Sequence, residues 1–408
     1  MTRTNEPEGL VKEPDEPEFT SIEICAGAGG QAIGLHQAGF GHLALVEIDQ
    51  YAVDTLKQNI KEHDAWAWER THCDVLSADV KDFDPYEHLT KGAELLKGRE
   101  LDLLAGGVPC PPFSHAGKQL GKADERDLFP RMLDLVGILN PRAVMIENVR
   151  GIKDPKFSDY RDYIEATLQG GSYRGDDGHL VTVEGKGLNY TVCKWDVLEA
   201  SDFGVPQLRP RAILVAFRND VIKDLKYEWP TATHEEPVSV ADALEESMRE
   251  RYEKYFEGTY SDQAQKAFAR WLRKAQERDA ELKGKGGGIA PTLVGGSKKH
   301  GGADLGPSRA KAAWKQLGVS GMGVANDIDT CAKKESQKRD LLGQDGPMLT
   351  VRQAAIIQGF PEEWEFSGGK TAQYRQVGNA FPPPVAKAVG ESIIDVLKAA
   401  SERKQKKG

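Results

Sequence analysis

A chain of 408 residues can hold one large and one smaller domain, each with its own core. With 39% hydrophobic and 29% charged residues and no apolar run near the length of a bilayer span, it is excluded from the membrane-embedded class. A formal charge of -9 argues against a generic nucleic-acid binder, and five widely spaced cysteines with no C-x-x-C pair argue against a metal cluster or a disulfide framework.

Residues 1–17 are rich in Glu, Pro and Lys and lack the apolar stretch of a secretory signal, so they read as a disordered leader on a cytoplasmic protein with reduced thiols. Residues 20–25 form a short apolar strand that runs into the turn Ala26-Gly27-Ala28-Gly29-Gly30. The helix-like stretch 31–38 and a second strand, 43–48, complete a βαβ opening. Residues 101–105 and 143–146 are further short strands, with apolar residues at helical spacing over 128–139 between them. This alternation predicts an α/β protein with a parallel, doubly wound sheet.

Strands are also expected at 190–197 and 212–217, after which the texture changes to charged helices over 238–256 and 263–282 and a Gly-rich segment over 284–306. From Lys283 to Arg339 there are eleven Lys or Arg against four Asp or Glu, whereas Asp220 to Glu281 has ten against fifteen. Any anion-binding surface therefore lies late in the chain, although charge alone is equally compatible with a solvated basic loop. Thr350 and Gln353 have capping-box spacing ahead of an apolar helix. The predicted organisation is a leader (1–17), the first part of a large domain (18–218), a smaller domain (219–348), the rest of the large domain (349–402) and a frayed basic tail (403–408).

Three groups of residues carry candidate chemistry. Gly27, Gly29 and Gly30 suit a strand-to-helix turn whose backbone approaches a ligand, and Glu47, at the end of the second strand, could accept both hydroxyls of a ribose. The glycine spacing departs from G-x-G-x-x-G, which disfavours a nicotinamide or flavin enzyme. Asp74 could receive an adenine amino group or could simply be a turn residue. Cys110 sits in Val108-Pro109-Cys110-Pro111-Pro112, where prolines fix the backbone on both sides of a thiol. A positioned thiol suggests a nucleophile, whereas the other four cysteines read as small buried hydrophobes. Glu147 ends the strand 143–146 and should face the crevice at the carboxyl edge of the sheet. In Gln207-Leu208-Arg209-Pro210-Arg211, period two puts Gln207, Arg209 and Arg211 on one face.

With these motifs in order, followed by Arg352-Gln353-Ala354-Ala355, Gln358-Gly359-Phe360-Pro361 and Gln376-Val377-Gly378-Asn379-Ala380, the chain resembles the cytosine-5 DNA methyltransferase family over nearly its whole length. The resemblance implies an S-adenosylmethionine-dependent, Rossmann-like doubly wound sheet with a smaller target-recognition domain over 219–348. It implies Cys110 as nucleophile, Glu147 as partner of the cytosine edge, Arg211 as the contact to oxygen 2 and Arg209 as its brace. S-adenosylmethionine is expected against Cys25, Ala26, Gly27, Gly29, Gly30, Glu47, Ile48, Asp74, Pro109, Leu128, Asn379 and Ala380, with Asn379 returning beside the cofactor and no metal. The implied partner is double-stranded DNA, with the cytosine flipped out of the helix, and the implied setting is a monomeric bacterial restriction-modification enzyme working alongside a cognate endonuclease.

Three residues depart from the family pattern. Cys25 stands where an aromatic residue often faces adenine, Ile48 where Trp often follows the ribose acid, and Pro111 where Gln commonly follows the nucleophile. The competing readings are a tRNA cytosine-5 methyltransferase, a catalytically silent DNA-binding homologue and, last, a nicotinamide oxidoreductase, which would explain the Gly turn and nothing after it.

Overall fold

The computed structural model describes residues 16–109, 127–175, 177–284, 288–295 and 303–406. Most of the expected leader, and Cys110 with Pro111, lie outside the described residues. The strands are β1 (Phe19–Ile24), β2 (Phe40–Glu47), β3 (Asp74–Ser77), β4 (Leu103–Gly107), β5 (Ala143–Val149), β6 (Gly171–Arg174), β7 (Leu180–Val183), β8 (Tyr190–Glu199) and β9 (Pro210–Arg218). Seven of them form one sheet in the order β3-β2-β1-β4-β5-β9-β8, and β6 and β7 form a separate hairpin.

Alternation within the buried strands explains why both faces are covered. Ile22, Ile24, Leu104, Val144 and Ile146 face one way, onto Phe129, Met132 and Val136 of the helix Phe129–Leu139 and onto Ile164 and Leu168 of the helix Ser158–Gln169. Phe19, Leu103, Ala105, Met145 and Ile213 face the other way, onto Leu35 of the helix Gly30–Ala38 and Val389, Ile393 and Leu397 of the long helix Pro383–Gln405. Residues from the far end of the sequence thus complete the core of the first domain.

The sheet is mostly parallel rather than wholly so. β1 to β5 pair in parallel, but β9 is antiparallel to β5 and β8 antiparallel to β9. Only a 3-10 turn, Ala200–Phe203, and a short extended run separate β8 from β9, and so short a connection leaves no room for the crossover that parallel pairing needs.

Contacts also extend across two of the expected boundaries. Beyond β9, Tyr227 and Trp229 pack on the sheet domain, with the Tyr227 hydroxyl 2.9 Å from Ser392 Oγ, and Thr233 N–H donates to the Asp202 carbonyl. Contacts with the sheet thus continue past Arg218, and the next helix, Val240–Glu253, is capped by Ser239. Arg403 and Lys404, expected in a frayed tail, belong to the last helix; Arg403 donates to the carbonyls of Asp220 and Val221 and Lys404 reaches Glu100.

The smaller domain packs the helices Val240–Glu253 and Ser261–Leu282 around the buried Trp271, with Trp314 in the same core. That core is continuous with Ala354 and Ile357 of the helix Val351–Gln358, which begins with the expected capping box at Thr350 and Gln353. Buried Arg251 joins the two by donating to Gln353 and to the Met348 carbonyl.

The helices Gly30–Ala38 and Pro383–Gln405 approach each other closely at a glycine. A Cβ on Gly34 would lie 2.3 Å from the Pro383 carbonyl oxygen and 2.5 Å from Ala386 Cβ. Gly to Ala inside a helix ordinarily stabilises by about 1 kcal/mol. Here the sign inverts: Gly34→Ala is expected to cost roughly 1–3 kcal/mol through overpacking. Urea unfolding checks this, and a stabilised variant would show that the helices separate freely.

Candidate active site

In parallel strands, functional groups collect where several carboxyl ends meet. The register sets Ile24, Glu47 and Ser77 at one end of the sheet beside Gly107 and Glu147. Two sites lie there, one on each side of β1 and β4.

The first site is built on the turn after β1. Cys25, Gly27 and Gly29 have φ of 54, 54 and 92°, so the chain alternates through the left-handed region. Ala26 N–H donates to the Val46 carbonyl and Gly27 N–H to Glu47 Oε2 at 2.8 Å, while Glu47 Oε1 accepts from the N–H groups of Ile48 and Asp49. Glu47 therefore both holds the turn and faces the edge of the sheet. Ile48, beside it, is 66% exposed, unusual for an aliphatic residue at a strand end. Burial and then the carboxylates of Glu47, Glu23 and Asp79 raise the Cys25 thiol far above its ordinary value, so Cys25 is an inert wall residue. Leu128 belongs to the same apolar cluster as Cys25, and its N–H donates to the Pro109 carbonyl.

The three glycines divide. A Cβ on Gly27 would meet nothing within 4 Å, so this position is open to a ligand. On Gly29 it would lie 2.9 Å from Leu56 and Trp364, and on Gly30 2.2 Å from the Phe381 carbonyl and 3.1 Å from Ala380 Cβ. On the side where a side chain would point, Gly29 makes room for Leu56 and Trp364 and Gly30 for the C-terminal segment. Trp364 completes that contact by donating its indole N–H to the Ala28 carbonyl at 3.0 Å.

Asp74 is the clearest correction. It begins β3, paired with Ala44, three residues short of the edge where Glu47 meets Ser77. Its carboxylate is consumed by the N–H groups of Thr90, Lys91 and Gly92 and by the Thr90 hydroxyl. The acid at the carboxyl end of β3 is Asp79, two residues past the strand, where Ala78 N–H bonds the Glu47 carbonyl and the Asp79 charge reaches Cys25. The apolar run Val75-Leu76 followed by Asp79 carried that signal, since the acid must follow the strand and not open it.

The second site is a cavity of about 500 Å³ whose lining includes Gly107, Pro109, Glu147, Asn148, Arg211 and Asn379. Glu147 stands on β5 next to Gly107 of β4, and a Cβ on Gly107 would lie 2.9 Å from Glu147 Oε2. Arg211 enters from β9, opposite Val149 and diagonal to Glu147, and its Nε is 2.7 Å from Glu147 Oε1. Burial raises the Glu147 carboxyl above its ordinary value, against the opposing pull of the Arg211 and Arg209 cations. Asn148 donates to the Val108 carbonyl at 2.7 Å and so ties this strand end to the loop before Cys110. Cys110 itself, the expected nucleophile, lies outside the described residues.

Gln207 and Arg209 do not enter the cavity. The guanidinium of fully buried Arg209 donates to the carbonyls of Leu293, Gly378 and Ala380 at 2.7, 2.8 and 2.8 Å. Gln207 accepts from Leu293 N–H and donates to Ile357 and Gln358. These side chains clamp the smaller domain and the C-terminal segment to the start of β9, and Arg211 alone faces Glu147. Asn379, expected beside the cofactor, lines the Glu147 cavity, while Ala380 lies against Gly30. Among the described residues no group of His, Cys, Asp and Glu could hold a metal ion.

Residues 19–395 match the family described as C-5 cytosine-specific DNA methylase. The chain is 42% identical over 385 residues to the Type II methyltransferase M.NaeI of Lentzea aerocolonigenes, covering 93% of this chain and 76% of that one. It is 40% identical to M.NgoMIV of Neisseria gonorrhoeae, with 93% and 99% covered. Among solved structures, a DNA modification methyltransferase from a prophage of E. coli shares the fold, with a TM-score of 0.55 at 22% identity over 93% of this chain and all of that one.

Removing the Arg209 fork would take their donor from the Leu293 and Gly378 carbonyls and leave Ala380 only the Gln358 amide. Arg209→Met is expected to cost roughly 3–5 kcal/mol of unfolding free energy, typical of breaking a buried charged network. A loss below about 1 kcal/mol in urea unfolding would show that those carbonyls find other donors.

Proposed function

The chain belongs to the C-5 cytosine-specific DNA methylase family, and from that premise we propose the course by which it methylates carbon 5 of cytosine in DNA. Glu147 and Arg211, paired at the floor of a cavity beside the loop that leads to Cys110, are the observation that carries the reading. Carbon 5 is too weak a nucleophile to take a methyl group unaided. The Cys110 thiolate adds to carbon 6, forming an S–C bond and moving the double-bond pair onto carbon 5. A base held in a duplex cannot present carbon 6 to a thiol, so the target cytosine is flipped into the cavity at a cost of a few kcal/mol.

Glu147 supports the addition at ring nitrogen 3. Its raised carboxyl favours the protonated form, which donates to nitrogen 3 while its other oxygen accepts from the exocyclic amine. Arg211 is placed to take oxygen 2 once its bond to Glu147 is shared with the base. After carbon 5 gains the methyl group, loss of the carbon 5 proton and cleavage of the S–C6 bond restore the double bond and release the thiolate.

S-adenosylmethionine supplies the methyl as an electrophile on a sulfonium and leaves as a neutral thioether. The chain's residues fit it. Gly27 is open, Glu47 stands at the edge for the ribose, and Ile48, Cys25 and Leu128 offer aliphatic walls for adenine, with Asp79 in place of Asp74 for its amino group. Behind the turn, Glu23 is buried with Oε2 unpartnered, and the Gln31 side-chain amide is buried with neither polar atom partnered. An ammonium and carboxylate of the methionine end would supply what these groups lack.

The reading extends to double-stranded DNA as the partner and to a cognate endonuclease that cuts the unmethylated site; the family and the Type II methyltransferase names of the relatives support the DNA substrate and the restriction-modification setting. No helix among the described residues is long and apolar enough to cross a membrane.

Base-resolution methylation sequencing of plasmid from cells expressing the chain tests the function. The expected result is 5-methylcytosine in one fixed context, absent with Cys110→Ala, while the purified variant still binds S-adenosylmethionine. An unmodified plasmid with the intact chain would overturn the reading. For Glu147, the protonated form is the active one, so the rate should fall as pH rises through its raised value. Glu147→Gln keeps a donor and an acceptor but cannot pass a proton. It should lose the high-pH decline and slow turnover about 10²–10⁴-fold; a pH profile unchanged from the parent would remove Glu147 from the proton's path.

A further inference from the structure

The cavity that holds Glu147 is larger than a base needs, and its rim includes a side chain that the chemistry above does not use. The geometry points to Lys156 as the residue that grips the backbone phosphate flanking the flipped cytosine, positioning the nucleotide for attack. This inference rests on the proposed reaction, since it requires that the target base occupy this cavity.

Lys156 lines the cavity with Asp154 and Phe157 on the side away from the turn after β1. It sits on a short 3-10 turn, Pro155–Phe157, that is fixed at both ends. Pro155 sets φ on one side, Phe157 is buried on the other, and Arg161 donates to the carbonyls of Ile152 and Asp154 beneath. A flexible side chain is thus presented from a rigid corner.

The charges leave Lys156 a definite role. Among the described residues of the lining, the cations are Arg211 and Lys156. Arg211 is held at 2.7 Å by Glu147. Lys156 is exposed and, among the described residues, has no carboxylate within ion-pair distance; its Nζ rests over the Phe157 ring, 4.8 Å from the centroid. A flipped nucleotide brings its own phosphates to the rim of whatever pocket takes its base, and a lysine there neutralises one as a point charge. At about 500 Å³ the cavity has the volume of sites that enclose a whole small ligand. Asp154 on the same rim disfavours a second phosphate close by, which restricts the grip to one.

The test compares Lys156→Gln and Lys156→Arg with the parent enzyme on a duplex carrying the target site, varying salt. Lys156→Gln is expected to raise KM for DNA about tenfold, to affect kcat less, and to reduce the slope of log affinity against log salt by about one. Lys156→Arg should restore both. A duplex with 2-aminopurine at the target position should show less flipped-base fluorescence with Lys156→Gln than with the parent. An unchanged salt slope with Lys156→Gln, or a loss confined to kcat, overturns the phosphate grip. Failure of the underlying reaction looks different: the parent enzyme itself would give no flipped-base signal and no methylation.

Discussion

The buried guanidinium of Arg209 is the interaction on which both sites depend. Taking a cation out of water costs several kcal/mol, and here the first force on Arg209 is that burial, with neighbouring Arg211 adding to it. The cost is offset by carbonyls from two segments, Leu293 in one and Gly378 and Ala380 in the other. The Ala380 carbonyl also accepts from the Gln358 side-chain amide. Both terminal nitrogens of the guanidinium donate while its Nε stays buried without a partner, so the clamp depends on those terminal bonds to offset the burial. With it in place, Ala380 lies against Gly30 of the turn after β1, and Arg211 is aimed at Glu147 by strand periodicity alone.

The discontinuity of the large domain follows from the same packing. Gly30 and Gly34 present bare backbone to Phe381, Pro383 and Ala386, and Trp364 seats on the Ala28 carbonyl. A side chain at either glycine would push the C-terminal helix off the turn that approaches the cofactor. The cofactor side is therefore braced from behind by residues more than three hundred positions away, and the cavity side is braced by the same segment through Arg209. The turn after β1 and the Glu147 cavity thus share one support, the C-terminal segment.

The parts of this arrangement legible in the sequence were those in which one element decides the outcome. The first strand and its turn, Glu47 at a strand end, Glu147 at another and the period-two face of Gln207, Arg209 and Arg211 all follow from local pattern. What could not be read depended on pairing between elements. Asp74 looks like a strand-end acid until the register places it opposite Ala44, well before the edge, and hands the edge to Asp79. That Gly29 and Gly30 also make room for Trp364 and the C-terminal segment shows only once distant elements are packed. The reversal of β8 and β9 hides because buried strands have the same composition in either direction. Arg403 reads as a frayed end because nothing near it in sequence reveals the carbonyls of Asp220 and Val221.

The Glu147 and Arg211 pair shows how the fold prepares chemistry before a substrate arrives. A carboxylate alone in that cavity would simply take up a proton, and a carboxylate fully satisfied by a guanidinium would stay ionised and be useless as a donor. Burial and the cations act in opposite directions on Glu147, and burial prevails. The group is left able to hold a proton while Arg211 is already in position, so neither must be recruited when charge develops on the ring. Gly107 matters for the same reason: with no side chain on the adjacent strand, the Glu147 carboxyl can lie against β4 and remain shielded from water. The strand ends therefore set the surroundings of the acid, with burial raising its carboxyl and the Arg211 cation, placed by the next strand, pulling the other way.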